Sequence, residues 1–137
     1  MAEPGSYLLV LNCTEPTEIE IGALGTRSFE CGLYAYAGSA FGPGGLSRVD
    51  RHRRIARGDH DVRHWHIDYL LGAAETQLST VELFPNRDLE CTLASTFESQ
   101  GCRHIASFGA SDCDCTSHLW GPLARSVLTQ VVQSSKQ

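Results

Sequence analysis

Long apolar runs are missing from this 137-residue chain. The longest pure ones are short, as in Leu8-Leu9-Val10-Leu11, whereas a membrane-spanning helix needs about 20 such residues. No membrane association is expected. Met1-Ala2-Glu3-Pro4-Gly5 holds no basic region followed by an apolar one, so no secretory leader is expected and the location expected is cytoplasmic. Internal repeats and low-complexity linkers are also missing. A positive excess is missing too, since the formal net charge is -5. Taken alone, that balance argues against a nucleic-acid partner.

The distribution of charge reverses that argument. Arg48, Arg51, Arg53, Arg54, Arg57 and Arg63 are six of the eleven Lys and Arg residues and crowd one short stretch. Glu3, Glu15, Glu18, Glu20 and Glu30 lie in the first thirty residues against Arg27 alone. A basic face on an acidic body binds phosphates locally and in a salt-sensitive way. A run of charge by itself usually marks a solvated helix face. Its place directly after a tyrosine-bearing strand favours the phosphate reading.

With 42% hydrophobic residues, the chain is long enough for one domain with a real core. Tyr7 to Cys13 is apolar on both faces, which predicts a central strand. Glu18-Ile19-Glu20-Ile21 alternates as a half-exposed strand, and Ser28 to Ala37 predicts one or two more. Short turns join these segments, so antiparallel pairing is expected. Phe41-Gly42-Pro43-Gly44-Gly45 is not a P-loop, because no Gly-Lys-Ser/Thr follows. Helices are predicted over 46–57, with Leu46, Val49 and Ala56 towards the core, over 64–74, and from an Asn86 cap to about residue 100. A strand is predicted over 79–84. Loop is expected from Gly101 to Trp120. The domain is expected to span 1–121, with 122–137 as a short helical or frayed tail.

Chemistry concentrates in an ordered set: Tyr7, Tyr36, Arg48, His52 and Glu90. Two phenols, a guanidinium, an imidazole and a carboxylate suit phosphodiester cleavage with one divalent metal. A phenol with a pKa near 10 is a poor base at neutral pH and needs a cation beside it. Arginine grips phosphate oxygens bidentately. A magnesium or manganese ion held by one carboxylate keeps several waters. Each residue also has a plain reading: strand aromatics, a solvated arginine, a favourable charge in the first turn of a helix. Tyr34 shares a strand face with Tyr36 and competes with it.

The order Gly5-x-Tyr7, Tyr36-x-Gly38-Ser39-Ala40, Arg48-x-x-x-His52 and Glu90 resembles the GIY-YIG nuclease superfamily, with its small prokaryotic Uri-type branch the nearest likeness. Gly42-Pro43-Gly44-Gly45, residues 64–71, Leu89-Glu90-Cys91 and residues 108–119 look like that branch as well. The resemblance covers roughly residues 5–120. It implies an α+β fold, a small mostly antiparallel sheet flanked by helices, with an added hairpin between the tyrosine motifs. It implies a metal-dependent endonuclease acting on nucleic acid, DNA favoured, with Tyr7 and Tyr36 placing and activating water. Arg48 would bind the scissile phosphate, His52 would assist proton transfer, and Glu90 would hold magnesium or manganese. A non-catalytic nucleic-acid-binding or adaptor module on the same fold is the alternative. Two departures stand out: the tyrosine motifs lie further apart than is usual, and the last motif's asparagine has no clear counterpart.

Arg51, Arg54, Arg57 and Arg63 are the expected nucleic-acid contacts, with His66 near phosphate or metal. His64 and His66 flank Trp65, and Asp68 is placed to orient one of them. Cys113-x-Cys115-x-x-His118 needs a fourth ligand to hold structural zinc, and Cys91 or Cys102 offers one. The competing reading is buried free thiols, with a redox pair as a further option.

Overall fold

The computed structural model describes residues 3–63, 65–109 and 117–136. Ten regular elements follow one another: β1 (Gly5–Cys13), β2 (Thr17–Glu20), β3 (Thr26–Phe29), β4 (Gly32–Ala40), α1 (Arg48–Ala56), α2 (His66–Leu71), β5 (Thr76–Pro85), α3 (Glu90–Ser99), β6 (Leu119–Leu123) and α4 (Arg125–Ser135). The architecture is α+β. A four-stranded sheet runs in the order β5-β1-β4-β6, and its neighbours pair antiparallel. β2 and β3 form a separate two-stranded antiparallel sheet.

β1 is central because it can bury both faces. Tyr7, Leu9, Leu11 and Cys13 enter one core with Tyr34, Tyr36, Val49, Ile55, Ile67 and Leu70. Leu8 and Val10 enter the other with Ala35, Ala37, Leu93, Phe97, Trp120 and Leu128. The period of two in a strand places α1, α2 and the β2–β3 hairpin on one side, and α3 and α4 on the other. Each large side chain so buried contributes about 1.5–3 kcal/mol.

Several expectations change. The tail expected from residue 122 belongs to the domain: its boundary falls inside β6, and Leu128 and Val131 of α4 are buried in the second core. The loop expected up to Trp120 ends in β6, which pairs with β4. The core face of α1 is Val49, His52 and Ile55, with Leu46 and Ala56 packed only at its margin. The second helix is shorter than expected. Trp65 is extended, and its backbone N–H donates to Asp68 Oδ2 at 2.8 Å, which sets the start of α2. Asn86 does not cap α3. It takes a positive φ of 61°, and the helix begins at Glu90.

Among the described residues, no helix is long and apolar enough to cross a membrane. Cys13, Cys31 and Cys102 are free thiols.

Candidate active site

The Gly5-Ser6-Tyr7 segment builds the site from both faces of β1. Ser6 is fully buried. Its Oγ donates to Arg87 O at 2.8 Å and accepts the Leu89 N–H at 2.7 Å. A hydroxyl from β1 thus fixes the approach to α3 and sets Glu90 at its first residue. Tyr7 points the other way. It pairs in register with Gly38 of β4. A Cβ at Gly38 would lie 2.2 Å from Tyr7 Cζ and 2.5 Å from its Oη. Gly38 therefore leaves the space that the tyrosine ring fills, which explains a glycine two residues after Tyr36.

Tyr7 Oη lies 2.7 Å from His52 Nε2, and both groups are buried. The rings sit 5.4 Å apart, tilted by 48°. Burial drives the Tyr7 pKa well above its ordinary 10, a rise that the charge and hydrogen bond of Arg48 oppose and the charges of Glu90 and Asp68 reinforce. Burial also lowers His52 from 6.5 to about 4, with Asp68 opposing and Arg51 and Arg48 assisting. At neutral pH the pair is therefore a neutral phenol on a neutral imidazole. His52 Nδ1 is buried with no hydrogen-bond partner among the described residues.

Tyr36 packs edge-on to Phe108, with ring centroids 6.0 Å apart. Burial raises its pKa well above the usual value, and the Tyr7 and Glu90 charges add to that while Arg48 opposes. The two phenols, Arg48 and Glu90 thus lie within electrostatic reach of one another. Tyr34, the competing tyrosine, turns its hydroxyl to Glu30 O at 2.9 Å and packs on Phe29, away from this group.

Arg48 Nη1 donates to Ser39 O at 2.7 Å, tying the first residue of α1 to the end of β4. Its guanidinium lies 4.8 Å from the centroid of Trp65, and that of Arg51 lies 4.4 Å from it. Arg51 is engaged within the fold. It grips fully buried Asp68 with two bonds of 2.9 and 2.8 Å, and its side chain is 19% exposed. Asp68 also accepts the Trp65 N–H, and the expected orientation of His64 falls outside the described residues. Arg54 and Arg57 are exposed, and Arg57 pairs with Asp59 at 3.1 Å. Arg63 lies along the backbone of Gly72, so close that a Cβ there would meet its guanidinium.

His66 accepts the Gly109 N–H on Nδ1 at 2.8 Å and meets the Phe108 ring edge-on. It braces the turn behind Tyr36, and burial lowers its pKa. His118 is buried beside β4. Its backbone N–H donates to Phe108 O at 2.8 Å, and its carbonyl accepts the Ala37 N–H at 2.9 Å. Its Nδ1 lies 3.7 Å from Glu90 Oε2. Glu90, Cys91 and His118 offer ligand atoms all within 4.8 Å of one another. Cys113, Cys115 and His64 lie outside the described residues. Cys102 packs at the edge of the second core.

Ser6, Trp65 and Phe108 were not singled out as site residues from sequence. Ser6 carried a signal, since it sits inside the first tyrosine motif. Trp65 stood between two histidines that drew attention instead. Phe108 opened the 108–119 stretch, where the cysteines and His118 drew attention instead.

No curated protein and no solved structure matches the chain. The family described as "Domain of unknown function DUF123" matches residues 6–137, and the chain belongs to that family.

Proposed function

We propose that the protein is a divalent-metal-dependent endonuclease that hydrolyses phosphodiester bonds in DNA. One observation carries the reading: a buried Tyr7–His52 pair, 2.7 Å apart, next to Arg48 and within the field of Glu90 and Tyr36. The likeness of the same residues to the GIY-YIG superfamily supports it.

Tyr7 accepts a proton from the attacking water while its own hydroxyl proton passes to His52 Nε2. In that tautomer Nδ1 carries the imidazole hydrogen. Neutral His52 is ready to accept, and the nearby Asp68 carboxylate offsets the imidazolium that forms. Arg48 has five N–H donors. One is committed to Ser39 O and another serves Tyr7, which leaves the others for phosphate oxygens. Tyr36, held by Phe108, orients the water or the phosphate. Exposed Arg54 and Arg57 meet the backbone further along the strand.

The half-exposed Glu90 carboxylate fits a hard divalent ion such as magnesium or manganese, because one oxygen ligand leaves room for retained waters. When bound, the ion supplies positive charge that lowers the pKa of water and stabilises charge on the phosphate.

The test is cleavage of single- and double-stranded DNA with and without divalent metal. Cutting by the wild type that is lost in Glu90→Ala and Arg48→Ala supports the reading. Salt-dependent binding without cutting under any metal would instead make the protein a nucleic-acid-binding module.

A further inference from the structure

From the sequence, Glu90 belongs to one metal site and Cys91 with His118 to another. Their positions in the fold do not keep these sites apart. A carboxylate oxygen of Glu90, Sγ of Cys91 and a ring nitrogen of His118 lie within 4.8 Å of one another. We infer that Glu90, Cys91 and His118 form one mixed oxygen, sulfur and nitrogen site for a borderline divalent transition ion of the zinc or cobalt kind. The inference rests on the nuclease reading only for what the ion does there. The ligand set stands on its own geometry.

Three features favour a single ion. The Glu90–His118 separation is 3.7 Å, beyond hydrogen-bond reach. Ligands sharing one tetrahedral zinc lie roughly 3.3–3.6 Å apart, given its usual bond lengths. Small side-chain rotations therefore bring all three onto one ion. The histidine is also held in place before any ion arrives. It is 3% exposed, and its backbone is bonded on one side to Phe108 and on the other to Ala37, next to Tyr36. Finally, Glu90 and Cys91 open α3, where backbone N–H groups favour two anionic ligands.

The donor types select the ion. A thiolate and an imidazole suit zinc or cobalt, whereas magnesium takes oxygen ligands in a strict octahedron. Among the described residues three protein ligands are present, and such a set leaves a fourth tetrahedral position for water or a phosphate oxygen, the pattern of catalytic zinc.

Cobalt(II) titration of the reduced full-length protein, followed by absorbance, tests this directly. The wild type should show a thiolate-to-cobalt charge-transfer band in the near ultraviolet that saturates at one ion per chain. Cys91→Ser, an exposed position, should lose the band and bind zinc at least about tenfold more weakly, the smallest loss seen even for outer-shell partners. A double variant, Cys113→Ser with Cys115→Ser, should keep the band. No band in the wild type, a band that survives Cys91→Ser, or a band lost in the double variant would each overturn the assignment. Cleavage is read separately. Magnesium-dependent cutting with no cobalt band removes the mixed site and leaves the nuclease. A normal band with no cutting leaves the ion site and removes the nuclease.

Discussion

The Tyr7 ring fills the space that a side chain at Gly38 would occupy, with the nearest approach to a Cβ there only 2.2 Å. The two residues face each other across β1 and β4. Gly38→Ala should therefore drive the ring out of place and separate Oη from His52. Overpacking of this kind destabilises by about 1–3 kcal/mol. Chemical denaturation should show that loss, and cleavage should fall with it. Gly58→Ala is the comparison. A Cβ there meets nothing within 4 Å, so strain from its φ of 81° is the only penalty and cleavage should be retained.

Arg51 and Arg54 both lie in the arginine run, and the fold gives them different work. Arg51→Ala leaves Asp68 buried without its guanidinium partner, a change that costs about 3–5 kcal/mol. Arg54→Ala on the exposed face should stay within about 0.5 kcal/mol. Its effect should appear in DNA binding, with a shallower dependence on salt. Thermal unfolding and a salt titration of binding separate the two.

The Tyr7–His52 pair makes stability depend on pH. His52 is held at about 4 in the fold against an ordinary 6.5. Below 6.5 the unfolded chain takes up the proton first, so its contribution is full above that value and is lost as pH falls towards 4. The loss is on the order of 1–3 kcal/mol. His66 and His118, also lowered by burial, act in the same direction. Unfolding free energies across this window should fall with pH in the wild type. The slope should flatten in His52→Gln.

Much of this arrangement was legible in the chain. The two-faced apolar run of β1 placed the centre of the sheet, and two residues read from the tyrosine and arginine motifs, Tyr7 and His52, meet in the fold. β6 was not legible, because Gly121 and Pro122 read as breakers. It is the last strand of the sheet, beside β4, with only an isolated bridge from His104 to Trp120 on its other side, and a proline is tolerated at such an edge. The start of α3 was misplaced at Asn86 for a related reason. Its support comes from the Ser6 hydroxyl, more than eighty positions away in sequence. The Arg51–Asp68 pair links residues of two helices, so no helical spacing announces it.

Ser6 gives that long-range support a test. Ser6→Ala removes both bonds that hold the approach to α3. Stability should fall by about 1–3 kcal/mol, because a buried N–H loses its acceptor. Glu90 should also lose its fixed position, so metal affinity should weaken. Isothermal titration with a divalent metal reads the second effect apart from the first.

The central claim is that Glu90 and Arg48 serve one hydrolytic site. The most direct measurement is metal-dependent cleavage of DNA by wild type, Glu90→Ala and Arg48→Ala, with binding measured on the same samples. Wild type should cut only with a divalent ion, and both variants should still fold but cut at least about 100-fold more slowly. Binding without cutting under every metal, or cutting unchanged in both variants, would contradict the account.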